Sequence, residues 1–148
     1  MFRLCALAVI FFLAHSPACL AGSTAIEGPV NAEIIRVIDG DTVLVDAHPW
    51  PDHRITTYVR LRGIDAPELK SKCQSERAAA KRACAELTKL LEADTRVTLT
   101  SISGDKYFGR VVADLTAADG KRPAEMLLAT GHVAPYGGRT KPRRACDD

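Results

Sequence analysis

Three short clusters hold the side chains most able to do chemistry: Asp39-Gly40-Asp41-Thr42, Arg60-Leu61-Arg62-Gly63-Ile64-Asp65-Ala66-Pro67-Glu68, and Asp105-Lys106-Tyr107-Phe108-Gly109-Arg110. Taken singly, each has an ordinary account: a hairpin turn, a charged strand end and a surface turn. Taken together, they put acidic side chains and arginines at the ends of apolar, β-branched stretches. Hard oxygen donors without His or Cys suit Ca²⁺ or Mg²⁺ rather than zinc. Arginines beside a carboxylate-held cation suit a phosphate diester. The cation polarises a phosphoryl oxygen, guanidiniums take up the growing charge, and a further carboxylate activates water. Pro67 pushes Ala66 toward an extended backbone, which fixes how Asp65 and Glu68 project.

Such a site needs strand ends gathered at one place. Ala32–Ile38, Thr42–Ala47, Ile55–Leu61, Arg96–Ile102 and Val111–Leu115 read as strands, from alternation and β-branched content. Asp39-Gly40 is the dipeptide of a tight turn. The two prolines and Trp50 in His48–His53 predict a loop. Ser71–Ala93 predicts one long helix, with Ala80, Ala83, Cys84, Leu87 and Leu91 at helical spacing and Ser71 with Gln74 as a capping box. Pro123 opens a short helix, Ala124–Thr130, stopped by Gly131. The order is βββ-α-ββ-α, with connections too short for repeated βαβ crossovers. The expected fold is therefore mainly β with helices (α+β): a five-stranded OB-type Greek-key barrel with one long and one short helix.

The 148 residues carry 20 Lys+Arg against 18 Asp+Glu, a net charge of +2. That balance excludes nucleic-acid binding by bulk charge alone, and the apolar content excludes a disordered chain. Residues 1–21 read as a secretory signal: Arg3, then the apolar run Leu4–Ala14, then Ser16-Pro17, with Cys19-Leu20-Ala21 before a cleavage point. A buried N-terminal helix and a lipoprotein acylated at Cys19 are the alternatives. The expected divisions are a flexible segment 22–30, a domain 31–137 and a basic tail 138–148. Export leaves Cys73, Cys84 and Cys146 in an oxidising compartment. Eleven residues of helix separate Cys73 from Cys84 by roughly 16 Å, beyond the ~4.4–6.8 Å a disulfide tolerates. Cys73–Cys146 is the favoured pair, with Cys84 a buried thiol. His48, His53 and His132 lie outside the clusters and read as loop or packing residues.

The text "VIDGDT" at Val37–Thr42, "VRLRGIDAPE" at Val59–Glu68 and "DKYFGR" at Asp105–Arg110 resembles the thermonuclease family, the staphylococcal-nuclease-like phosphodiesterases. "LLATGHVAPY" at Leu127–Tyr136 is a weaker echo, and the resemblance spans about residues 31–137. It implies an OB barrel and assigns roles by position. Asp41 and Asp65 match the Ca²⁺-holding carboxylates, with the main-chain oxygen of Ala66 as a further ligand. Glu68 matches the general base or water-positioner. Arg60 and Arg110 match the phosphate-binding arginines, Tyr107 and Tyr136 flank the nucleotide pocket, and Asp39 and Thr42 stand behind the ligands. Phe108 lengthens the Tyr107–Arg110 spacing relative to the staphylococcal enzyme. The chain after Tyr136 is too short for that enzyme's third helix, and a disulfide from Cys146 is expected to hold the barrel end instead.

The resemblance implies an exported, monomeric hydrolase of DNA and/or RNA that reads backbone rather than bases and leaves 3′-phosphate ends, with no membrane contact after signal removal and no obligate protein partner. Two rivals remain: a non-catalytic OB module for single-stranded nucleic acid, which needs a basic groove and aromatic platforms, and an exported partner-binding protein that keeps the motifs as turns. Arg139, Lys141, Arg143 and Arg144 either add phosphate contacts or form a solvated tail.

Overall fold

A computed structural model describes residues 24–139 and Cys146. The leader 1–21 and the tail residues Lys141, Arg143 and Arg144 lie outside the described residues. The elements run β1 (Val30–Val37), β2 (Thr42–Trp50), β3 (His53–Leu61), β4 (Ile64–Asp65), α1 (Gln74–Leu91), β5 (Arg96–Gly104), β6 (Arg110–Ala117), α2 (Pro123–Ala129) and β7 (Ala134–Pro135). Alternation decides which face of each strand turns inward. In β2, Val43, Val45 and Ala47 are buried while Leu44 and Asp46 are half-buried on the other face.

Five strands close into a barrel in the order β1-β2-β3-β6-β5. This is the expected OB-type α+β barrel. Neighbours are antiparallel except β3 and β6, whose parallel register pairs Tyr58 with Arg110 and Leu61 with Ala113. Closure abolishes free sheet edges, and the inward side chains form one core with Val59, Leu61, Leu99 and Leu115 at its centre. The parallel closure also has a functional consequence. It sets the end of β3, carrying Arg60, beside the start of β6, carrying Arg110.

Helix α1 buries Ala80, Ala83, Leu87 and Leu91. Its small residues let it lie directly on the turn between β1 and β2. A Cβ on Gly40 would fall 2.6 Å from the Ala83 Cβ and 2.8 Å from the Ala66 Cβ, so only glycine fits. That close approach locks the Asp39–Asp41 turn against both the helix and the segment after β4.

Several local expectations are corrected. The predicted loop His48–His53 is a hairpin in which β2 extends to Trp50 and β3 begins at His53. The register shifts between Ala47 and Trp50, and Asp52 adopts φ 60°. The bulge absorbs the prolines that argued for a loop. The capping box is absent: Cys73 is the N-cap without a side-chain cap bond, and Ser71 Oγ instead accepts from the Cys73 N–H at 3.2 Å. Cys84 is half-buried rather than fully enclosed, and burial pushes its thiol pKa up. Residues 24–29 run beside β5, where Ile26 bridges Ile102 and Ser101 donates to the Glu27 carbonyl at 2.9 Å.

Cys73 and Cys146 form a disulfide with Cα atoms 5.6 Å apart, closing a loop of sequence separation 73. In the chain-entropy account a loop of that size contributes about 4 kcal/mol. Mild thiol is expected to lower the midpoint of thermal unfolding by several degrees. A melting curve unchanged by reduction, with both thiols titrating as free, would show that the link does not hold the barrel.

Candidate functional site

One open cleft of about 950 Å³ lies where the end of β3, the start of β6, the β1–β2 turn and the segment after β7 meet. Asp39, Asp41, Arg60, Ala66, Glu68, Tyr107, Arg110 and Tyr136 all line it. Residues from all three sequence clusters therefore share one cleft.

The centre is Arg60. Its Nη1 donates to Asp41 Oδ1 at 2.7 Å and its Nη2 to Asp65 Oδ1 at 3.1 Å and to the Ile64 carbonyl at 3.2 Å. The pairing register Thr42↔Arg60 brings Asp41 to the guanidinium. Asp65 arrives through the short ribbon in which Ile64 pairs with Pro135 and Asp65 with Ala134. Both carboxylates are buried. Asp41 is further held by the Thr42 hydroxyl, which donates to Oδ1 at 2.9 Å, and by the Ala66 N–H, which donates to Oδ2 at 2.9 Å. The Asp41 N–H donates to Asp39 Oδ1 at 3.0 Å. Asp39 and Thr42 thus orient Asp41, and Ala66 fixes it from the segment after β4.

Burial pushes the Asp41 carboxyl above its ordinary pKa of 3.8, although Arg60 and the Ala66 N–H oppose the shift. Burial alone would lower the Arg60 pKa, but the two carboxylates outweigh it and the net direction is up. One guanidinium serves both carboxylates. That oxygen-only donor set fits a hard divalent cation held by Asp41, Asp65 and a main-chain oxygen. Among the described residues, no three His, Cys, Asp or Glu side chains converge as a metal cluster.

At the facing wall, Arg110 Nε donates to Asp105 Oδ2. The Arg110 guanidinium also lies 4.8 Å from the centre of the Tyr107 ring. Tyr136 enters because its N–H donates to the Gly63 carbonyl at 2.8 Å, and Arg60 stands 5.5 Å from its ring centre. Glu68 is exposed at the rim and Phe108 is fully exposed at the tip of the β5–β6 turn. His48, His53 and His132 line no part of the cleft; His53 stacks edge-on against Trp50 and His132 Nδ1 lies 2.8 Å from the Thr130 hydroxyl.

Two of the charged lining residues that received no role from the sequence bear on the arginines of the site. Asp105 orients Arg110, and Arg62 lies on the cleft wall. For Arg62 the signal was present: it stands two residues from Arg60, a spacing that returns to the same face of a strand.

A family model described as "Staphylococcal nuclease homologue" matches residues 58–145. The matched span holds Arg60, Asp65, Ala66, Glu68, Tyr107, Arg110 and Tyr136, whereas Asp39, Asp41 and Thr42 precede it. No curated protein matches the chain.

Proposed function

The chain belongs to the staphylococcal nuclease family, and from that premise we propose an exported, calcium-dependent nuclease that hydrolyses phosphodiester bonds of DNA and/or RNA with little sequence preference. The observation that carries the reading is the Arg60 guanidinium shared by two buried carboxylates, in the same cleft as Glu68 and Arg110.

Asp41, Asp65 and the Ala66 main-chain oxygen would hold the cation. When bound, it would supply positive charge that polarises a phosphoryl oxygen. Arg60 and Arg110 bind the non-bridging oxygens of the scissile phosphate and become stronger partners as charge grows on them. Glu68, at the rim, accepts a proton from the water that attacks phosphorus. The P–O5′ bond breaks as the new P–O bond forms, leaving a 3′-phosphate and a 5′-hydroxyl. Tyr107 and Tyr136 border the nucleotide on either side. Contacts of this kind grip backbone, so recognition is weakly dependent on sequence.

Export is supported by the apolar leader and the disulfide. Among the described residues no helix is long and apolar enough to cross a membrane. The protein would act as a monomer on its nucleic-acid substrate.

Residues 22–148 incubated with single-stranded DNA are expected to cut it with added Ca²⁺, leaving 3′-phosphate ends, and to leave it whole with chelator. Retarded but uncut DNA in both tubes would make the barrel a binding module and withdraw the roles of Asp41, Asp65 and Glu68. Cleavage with Mg²⁺ but not Ca²⁺ would overturn the choice of metal alone.

A further inference from the structure

Three arginines line the cleft, and two of them are neutralised. Arg60 is paired with Asp41 and Asp65, and Arg110 with Asp105. Arg62 is different. Its Nη2 meets only neutral acceptors: the Ser101 carbonyl, the Ser103 hydroxyl at 3.0 Å and the Val112 carbonyl at 3.0 Å. No carboxylate among the described residues forms an ion pair with it. Its Nε is enclosed without a partner, its three side-chain bonds all use Nη2, and the residue borders the cleft.

The anchors are themselves unusual. Ser101 adopts φ 50°, and the β5–β6 register slips between Thr100 and Ser103. This bulge turns the Ser101 carbonyl and the Ser103 hydroxyl toward Arg62, whose own N–H donates to the Ala113 carbonyl at 2.9 Å. A guanidinium fixed by two strands, β5 and β6, has already lost the rotamer freedom that a surface arginine would lose on binding. It keeps a full positive charge beside a cleft for an anionic polymer.

We propose that Arg62 binds a second backbone phosphate, next to the one that Arg60 and Arg110 take. Two residues of extended chain separate the Arg60 and Arg62 Cα atoms by about 6–7 Å, comparable with one step between successive phosphates on a strand. The inference rests on the nuclease reading and extends it: the substrate is an oligonucleotide held at two or more phosphates, not a single diester.

The test is binding of a short oligothymidylate in chelator, measured against salt concentration, with thymidine 5′-monophosphate as the one-phosphate control. Arg62→Gln is expected to flatten the slope of log K against log salt by about 0.7, the value for one phosphate on a single strand. Arg62→Lys should restore the slope, and neither variant should change monophosphate binding. An unchanged slope in Arg62→Gln, whatever its melting temperature, would leave Arg62 a pin between strands and overturn the proposal. Equal losses for oligomer and monophosphate would place Arg62 on the reacting phosphate and overturn it too. Should Arg62→Gln not fold, the Nε–Hε resonance of Arg62 in ¹⁵N-labelled wild-type protein decides: it should shift with oligomer and stay with monophosphate, and no shift with oligomer overturns the proposal. Wild-type protein that cuts DNA but keeps this resonance in place loses the second phosphate site alone. Protein that neither binds nor cuts loses the nuclease reading with it.

Discussion

Arg60→Ala is expected to destabilise the fold by about 3–5 kcal/mol at neutral pH, the range for breaking a buried ion pair from one side. The reason is geometric. The Arg60, Asp41 and Asp65 side chains are 12%, 5% and 4% exposed, so removing the guanidinium leaves two carboxylates that water does not reach. Against a typical total of about 5–15 kcal/mol, that loss is large, and cleavage would fall partly because less protein is folded. Lysine should rescue poorly, since one ammonium cannot reproduce a fork that serves both carboxylates. The deficit should also depend on pH. The Asp41 pKa is already raised by burial in the native protein, so its proton is bound more tightly folded than unfolded. Its stabilising effect is present below the unfolded value and is lost as pH rises through the folded one. Without Arg60 that rise grows, so the gap between variant and native protein should narrow on acidification. Urea unfolding across pH measures this. A variant within about 1 kcal/mol of native at pH 7 would mean the carboxylates do not depend on Arg60.

The parts of the fold that were legible from sequence are those set by local pattern. Alternation in Thr42–Ala47 and helical spacing through Ala80, Ala83, Leu87 and Leu91 each answer to one element's own packing face, and the structure follows them. The hairpin at Trp50 escapes a sequence reading because proline is a local breaker, while the β2–β3 pairing that carries the strands past it is tertiary. Strands β4 and β7 have two residues each, too few for any period to register. Yet this ribbon carries Asp65 to Arg60 and Tyr136 into the cleft. The site was legible as residue types, not as contacts. Asp41 and Arg60 are 19 residues apart, and nothing in either cluster says that one guanidinium will join them. The unpaired charge of Arg62 was similarly hidden, because its three acceptors include two main-chain carbonyls, which have no sequence signature.

Glu68→Gln separates chemistry from architecture more cleanly than any change at Arg60. Glu68 is exposed at the rim of the cleft, and exchanging one carboxylate oxygen for an amide preserves its size. Stability should therefore stay within about 0.5 kcal/mol of native, as for most surface substitutions. The turnover rate should fall by about 10²–10⁴-fold, the usual contribution of a positioned general base. Glutamine cannot take the proton, so the acid limb of the pH–rate profile, which reports deprotonation of the base, should vanish as well. Substrate affinity should hold or tighten slightly, because a negative charge is removed from a cleft that receives phosphate. This pattern of lost turnover, lost acid limb, retained binding and retained fold is what a base predicts and what a merely water-excluding rim residue does not. Loss of turnover with the acid limb intact would mean that Glu68 orients water while another group takes the proton. Turnover within a few fold of native would remove Glu68 from the reaction and leave the electrostatics of Arg60 and Arg110 as the main source of rate.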